Sequence, residues 1–270
     1  MALTTMDGLV SGLAYSKRSR VYMPSATNVA GGLVNLNQAV TGAHGLMAAP
    51  TAFGSGGTTF NQSTVSNGFN EWTAGTGTDA YLARVALTGT VAGTIHIYDI
   101  MWACSGFVGN VATAQSVVSF SGMPTRNTTG GGCELWIGCS SAIGATAHNV
   151  TASYTNQAGS SGRTTVSTAG IASMPANRMY QLPLQSGDTG IQALASITLS
   201  ASSGTAGNLW ALIMKPVATI PLPLVNVGSV QDFAALGLPL IDDESCLAYI
   251  HQATTTSSGI ILGTFDVVQG

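Results

Sequence analysis

Gly93-Thr94-Ile95-His96-Ile97-Tyr98-Asp99-Ile100-Met101-Trp102 is a run of β-branched and aromatic residues and reads as a strand. Just upstream, Tyr81-Leu82-Ala83-Arg84-Val85-Ala86-Leu87 reads as another, joined to it by a short turn. Downstream, the same texture returns at Gln115 to Phe120, Cys133 to Cys139, Ala147 to Thr155, Arg163 to Thr168, Ile191 to Ser200 and Leu209 to Pro216. Ser202-Ser203-Gly204-Thr205-Ala206-Gly207-Asn208 reads as the hairpin connection between the last two. Short strands at this spacing, with Gly and Ser/Thr turns, predict an all-β protein, a jelly-roll-like antiparallel β-sandwich. No long helix interrupts them, which counts against an α/β enzyme fold.

Outward from this block the pattern weakens. Met6, Leu9, Val10 and Leu13 recur at helical spacing, Asp7 lies near the start, and Lys17-Arg18-Ser19-Arg20 stands where a helix C-terminus favours cations. The spacing predicts a short helix in the first fifteen residues, docked on a neighbouring subunit or packed on its own domain. Residues 24 to 79 hold no sustained period and read as an extended arm with one or two short strands. Pro216, Pro221 and Pro223 predict a boundary, because proline removes a ladder donor. Ser229 to Leu236 reads as a short capped helix stopped by Gly237 and Pro239, and Cys246 to His251 and Gly259 to Val268 as two final strands. The expected organisation is an N-terminal helix and arm (1–79), a β-sandwich domain (80–225) and a C-terminal segment (226–270).

The 270 residues carry 8 basic and 11 acidic side chains, a charged share of 7% against a usual share of roughly a quarter. A chain of 27.3 kDa exposes roughly 11,000 Å², so charge covers less than about a fifth of it. The exterior is therefore largely uncharged. Four Trp, 7 Tyr and 7 Phe with a mean hydropathy of +0.33 exclude intrinsic disorder. A net charge of −3 argues against general nucleic-acid binding, and no apolar run reaches the ~18 residues of a membrane span. The basic cluster at Lys17 to Arg20 follows the first apolar stretch, the reverse of a secretory signal, and the expected site of synthesis, the cytoplasm, follows from reading the cysteines as free thiols.

No chemical constellation stands out, and no catalytic, cofactor-binding or metal site is expected. Cys133 and Cys139 fall on one face of a strand roughly 20 Å apart along it and read as free thiols serving as small hydrophobes. His44, His96, His148 and His251 lack zinc-site spacing. Asp242-Asp243-Glu244 lacks the alternation of a calcium loop and reads as a solvated turn. Gly54-Ser55-Gly56-Gly57 and Gly130-Gly131-Gly132 lack the Lys-Ser/Thr of a P-loop and read as turns. The sequons at Asn61, Asn127 and Asn149 are expected by chance in so Asn-, Ser- and Thr-rich a chain. His96 and Asp99 have no nucleophile elbow beside them. Asp99 shares a strand face with Ile97 and Met101, so its burial calls for a partner, and Arg84 or Arg126 is the expected one, making it a structural anchor.

The segment Gly93 to Phe107, with its Ile97-Tyr98-Asp99-Ile100-Met101-Trp102 strand, resembles structural proteins of tailed-bacteriophage virions. The likeness continues through Gly132-Cys133-Glu134-Leu135-Trp136-Ile137 and the Thr/Ala/Gly-rich hairpins, over about residues 80 to 220. The resemblance implies a non-enzymatic head decoration (cement) protein, a jelly roll that stabilises the head as a homotrimer on the major capsid protein. It implies a virion protein assembled in the host bacterial cytoplasm, without cofactors and without direct contact to nucleic acid or membrane. The alternative is a carbohydrate-binding sandwich of a tail fibre or spike, in which Trp72, Trp102, Trp136 or Trp210 would stack on sugar rings; in strands such residues are more often core. A glycan hydrolase ranks third, since it needs paired carboxylates in a groove.

Overall fold

Trp210, Trp136 and Tyr98 are buried inside a closed ring of antiparallel strands. This arrangement comes from a computed structural model, which describes residues 5–14, 16–27, 29–36, 55–61, 79–242 and 244–269. Among them the chain forms α1 (Met6–Ala14), β1 (Lys17–Met23), β2 (Leu33–Asn35), β3 (Thr58–Thr59), β4 (Ala80–Gly89) and β5 (Gly93–Phe107). Then come β6 (Gln115–Ser116), a 3-10 turn (Thr125–Asn127), β7 (Glu134–Ser141), β8 (His148–Asn156), β9 (Arg163–Thr164), β10 (Thr168–Ile171) and β11 (Arg178–Leu182). The rest is β12 (Ile191–Leu199), β13 (Asn208–Leu222), β14 (Ser229–Gln231), α2 (Phe233–Leu236), β15 (Leu240–Ile241), β16 (Leu247–Ala253) and β17 (Ile261–Gln269).

The ring runs β5-β13-β7-β11-β2-β16 and back to β5, with β3 pairing along β5 beyond the end of β16. Its bore is filled by Tyr98, Ile100, Trp136, Trp210, Leu212 and Ile250, among others. Gly138 is required at one close approach, because a Cβ there would enter the Trp210 ring. The wall's outward residues follow the period of two, so the same strands cover a second and a third core. Ile95, Ile97, Ile220 and Leu222 pack under the sheet β1-β17-β4-β14, to which β15 adds on β4. Trp102, Cys104, Ala211 and Ile213 pack under the sheet β10-β8-β12-β6, to which β9 adds on β8. Met101 is the extra residue where the β5–β13 register shifts between Ile213↔Trp102 and Met214↔Ile100. That bulge puts Ile100 and Ala103, three apart, in the same core.

The all-β antiparallel sandwich expected from the sequence is therefore what the chain forms, with a closed middle layer. Several elements differ. Pro216 and Pro221 do not end a strand: β13 continues to Leu222, pairing Pro216 with Tyr98 and Pro221 with Thr94. Its partner β7 stops at Glu134↔Met214, so beyond that point β13 has a ladder with β5 alone, and a strand with one free side tolerates proline. Lys17 to Arg20 is not a helix end but the start of β1, paired with β17 from Lys17↔Val267 to Met23↔Ile261. Ser229 to Leu236 splits into β14 and a single turn, α2. Asp232 caps that turn by accepting from Ala234 and Ala235 N–H, and Gly237 ends it at φ 71°. The expected strands at Gln115 to Phe120 and Arg163 to Thr168 shrink to β6 and to β9 plus the start of β10. β11 was missed. Hydrogen-bonded sheets cross both expected boundaries, since β1, β2, β16 and β17 lie among strands of 80–225. The helix itself packs on its own chain, with Leu9 against Ala83 and Val268. Most of the arm expected at residues 24 to 79 lies outside the described residues.

Candidate assembly surfaces

Two long stretches of the chain carry no charged side chain. No Asp, Glu, Lys or Arg occurs between Glu134 and Arg163 or between Asp188 and Lys215, and these two gaps hold β8 and β12. The pair is adjacent in the sheet β10-β8-β12-β6, whose β6 and β10 carry no charge either. Val150, Ala152, Tyr154, Ile197 and Leu199 face the core, so Thr151, Ser153, Ser196 and Thr198 face outward. Register aligns Thr164, Ser153, Ser196 and Ser116 in one row across β9, β8, β12 and β6, with Thr151 beside Thr198 in the next. The result is a face of hydroxyls without ions.

One charged cluster closes the end of that sheet. Asp188 accepts from Arg163 at 2.9 and 3.1 Å, from Tyr154 Oη at 2.5 Å and from Asn156 Nδ2 at 2.7 Å. The Arg163 fork first, then the Tyr154 and Asn156 hydrogen bonds, hold the Asp188 carboxyl down at about 2. This links β8, β9 and the segment before β12 at the edge of the hydroxyl face.

Deeper, Asp99 meets Arg126, while Arg84 goes to Asp266. The Arg126 fork donates to both Asp99 oxygens, at 2.9 and 3.0 Å, and its remaining N–H groups donate to Phe60 O, Asn61 Oδ1 and Ile100 O. Asp99 also accepts from Ser245 Oγ at 2.8 Å and Cys246 N–H at 2.8 Å. With side chains only 4% and 7% exposed, the pair is a fully bonded buried anchor between β5, the 3-10 turn, the segment at β3 and the start of β16. Its oxygens are committed, so Asp99 is not placed to orient His96, whose Nδ1 lies 3.3 Å from Thr219 Oγ1. The sequence narrowed the partner of Asp99 to Arg84 or Arg126, and the structure gives Arg126.

The other candidate residues lie apart. His251 is buried between the ring and the β17 sheet, and burial lowers it to about 4, so it is neutral. Among the described residues no three His, Cys, Asp or Glu side chains are grouped as a metal site. All four cysteines are free and buried, and burial pushes the Cys133, Cys139 and Cys246 thiols up to about 12. Asp242 Oδ1 accepts from Glu244 N–H and Asp242 N–H donates to Ser245 Oγ, the bonding of a turn; Asp243 lies outside the described residues. His44, Gly54 and Trp72 do so too. Trp102, Trp136 and Trp210 are core residues, and Tyr98 Oη and Trp136 Nε1 both donate to Glu134 Oε2 at 3.0 Å. An open groove beside Thr94, Leu222 and Gln252 has no carboxylate in its lining.

The opposite sheet carries charge on its outer face. On its outer face register aligns Tyr22, Leu262 and Thr88, then Arg20, Thr264, Ala86 and Val230, then Arg18, Asp266 and Arg84. Arg18 and Arg84 both reach the buried Asp266, at 2.6 and 3.5 Å. Beyond that row the face is covered by Leu9 and Leu13 of α1 and by Phe233 and Leu238.

No protein-family model matches the chain, and no curated protein does. Solved structures that align with it include infectious bursal disease virus, Gx strain, at 9% identity and a TM-score of 0.21, covering 94% of this chain and 81% of that one. The VP2 subviral particle of the same virus aligns at 10% identity and a TM-score of 0.19, covering 94% and 80%. Scores this low carry no argument about shared architecture or role.

Proposed function

We propose that this chain is a non-enzymatic virion structural protein, a decoration (cement) protein that binds the major capsid protein of a phage head and associates with itself as a trimer. The observation that carries the reading is the ion-free hydroxyl face over β8 and β12. A sheet face of Ser and Thr can be covered by a neighbour without stripping water from charges, a cost that buried ion pairs often fail to recover. Its hydroxyls can donate and accept in any local pattern, so the face suits close contact with a protein lattice. The phage resemblance of residues 80 to 220 supplies the kind of particle. The fibre alternative is weakened by the burial of Trp102, Trp136 and Trp210, which leaves them unable to stack on a sugar.

Electron microscopy of the intact particle, with antibody or tag localisation, tests the reading. Density over the capsomer junctions supports it. Density confined to the tail or fibres, or turnover of a glycan abolished by one substitution, overturns it. Ser116→Asp or Thr164→Asp, each at an exposed end of the row, should abolish binding to emptied heads while far-UV circular dichroism stays that of the wild type.

A further inference from the structure

The outer face of the β1-β17-β4-β14 sheet has two unlike halves. One is raised, because α1 and α2 lie on it, and it carries exposed Asp7, Asp79, Asp232 and Asp242 with the apolar Val10 and Leu240, the latter 61% exposed. The other is bare. There Tyr22, Leu262 (46% exposed), Val230 and Ile260 stand in solvent, and the chain after β13 adds Leu224 and Val227, brought alongside by Asn226 N–H to Gly89 O at 2.7 Å. Next to this apolar patch, two arginines share the one carboxylate of Asp266, which leaves a net positive charge. Leu240, opposite Tyr81, and Leu262, opposite Thr88, stand roughly 23 Å apart along β4, so neither can cover the other within one chain.

We infer that a second copy of this chain covers the bare half, seating its raised acidic end, with Leu240 and Val10, on Tyr22, Leu262 and Val230. The occupant is chosen by complementarity: apolar residues flanked by aspartates meet apolar residues flanked by arginines, and the raised half fills the space over the bare one. An exposed apolar cluster of this kind on a sheet marks an interaction site. A contact between unlike surfaces can close into a ring, as the proposed trimer needs. The inference rests on the self-association in that proposal.

The test uses two variants of the full chain, Leu262→Glu on the bare half and Leu240→Arg on the raised end, followed by sedimentation. Both residues are exposed, and unchanged far-UV circular dichroism and melting temperature verify folding. Each variant alone should lose self-association by about tenfold or more. Mixing the two should restore a complex, because the intact raised end of one meets the intact bare half of the other. A wild type that oligomerises while neither variant weakens it, or a mixture that stays dissociated, overturns this contact and leaves the assembly reading intact. A wild type that is monomeric at its highest soluble concentration and fails to bind emptied heads removes both.

Discussion

Replacing Arg126 with alanine should be among the most damaging single changes in this protein. The guanidinium is 4% exposed and holds both oxygens of Asp99, itself 7% exposed, together with three oxygens from Phe60, Asn61 and Ile100. Arg126→Ala leaves Asp99 with Ser245 Oγ and Cys246 N–H but no counter-charge, and it opens two backbone carbonyls in the interior. Breaking a buried pair from one side costs about 3–5 kcal/mol. At about 2–4 °C per kcal/mol for a chain of this size, the melting temperature should fall by roughly 6–20 °C. Arg126→Lys should recover only part, since an ammonium lacks the planar fork. The double variant Asp99→Leu/Arg126→Met, which leaves no unpaired charge, should melt above Arg126→Ala. Urea unfolding followed by circular dichroism gives the energies. A loss under about 1 kcal/mol for Arg126→Ala, or a double variant less stable than the single one, would refute the account of this cluster as an anchor. Arg163→Ala, at the more exposed pair with Asp188, should cost less.

Other changes test other layers. Gly138→Ala forces the Trp210 indole out of place and should cost about 1–3 kcal/mol in urea unfolding, with a change in near-UV circular dichroism. His251 refuses a proton until about pH 4, whereas the unfolded chain takes one up near 6.5; stability is therefore full above 6.5 and falls as pH drops to 4, by up to about 3 kcal/mol. His251→Leu should flatten that slope in urea midpoints measured from pH 7 to 4.5. Asp188 acts lower: its depressed carboxyl contributes stability above the unfolded value of 3.8, and that stability is lost as pH falls towards 2. Ellman's reagent at pH 8 should leave all four buried thiols unmodified in the native protein and react with all four in denaturant.

β4, β8 and β12 were legible because one face of each is buried and the period of two shows, and β5 because it is an unbroken run of β-branched and aromatic residues buried on both faces. What closes the middle layer was not. β2 is three residues long and β11 is Arg178-Met179-Tyr180-Gln181-Leu182, and neither stands out from the surrounding loops. β1 begins Lys-Arg-Ser-Arg, which is also how a helix ends, and only its pairing with β17, more than 240 residues later, decides between them. The prolines of β13 misled because a strand can be central at Leu212 and an edge at Pro221. Asp99 was readable as buried and in need of a cation, but which arginine supplies it depends on the route of the chain between β6 and β7. The two uncharged stretches were visible in the sequence, and that they form one face was not, since this depends on β8 pairing with β12.

β5 and β13, 15 residues each, pass from one outer core to the other while lining the bore along the way. A shearing force applied to either skin of the molecule thus reaches the opposite skin along covalent backbone as well as through packed side chains. The protein is built like plywood whose middle ply is continuous with the glue on both sides, and it should resist delamination better than two sheets held by contact alone.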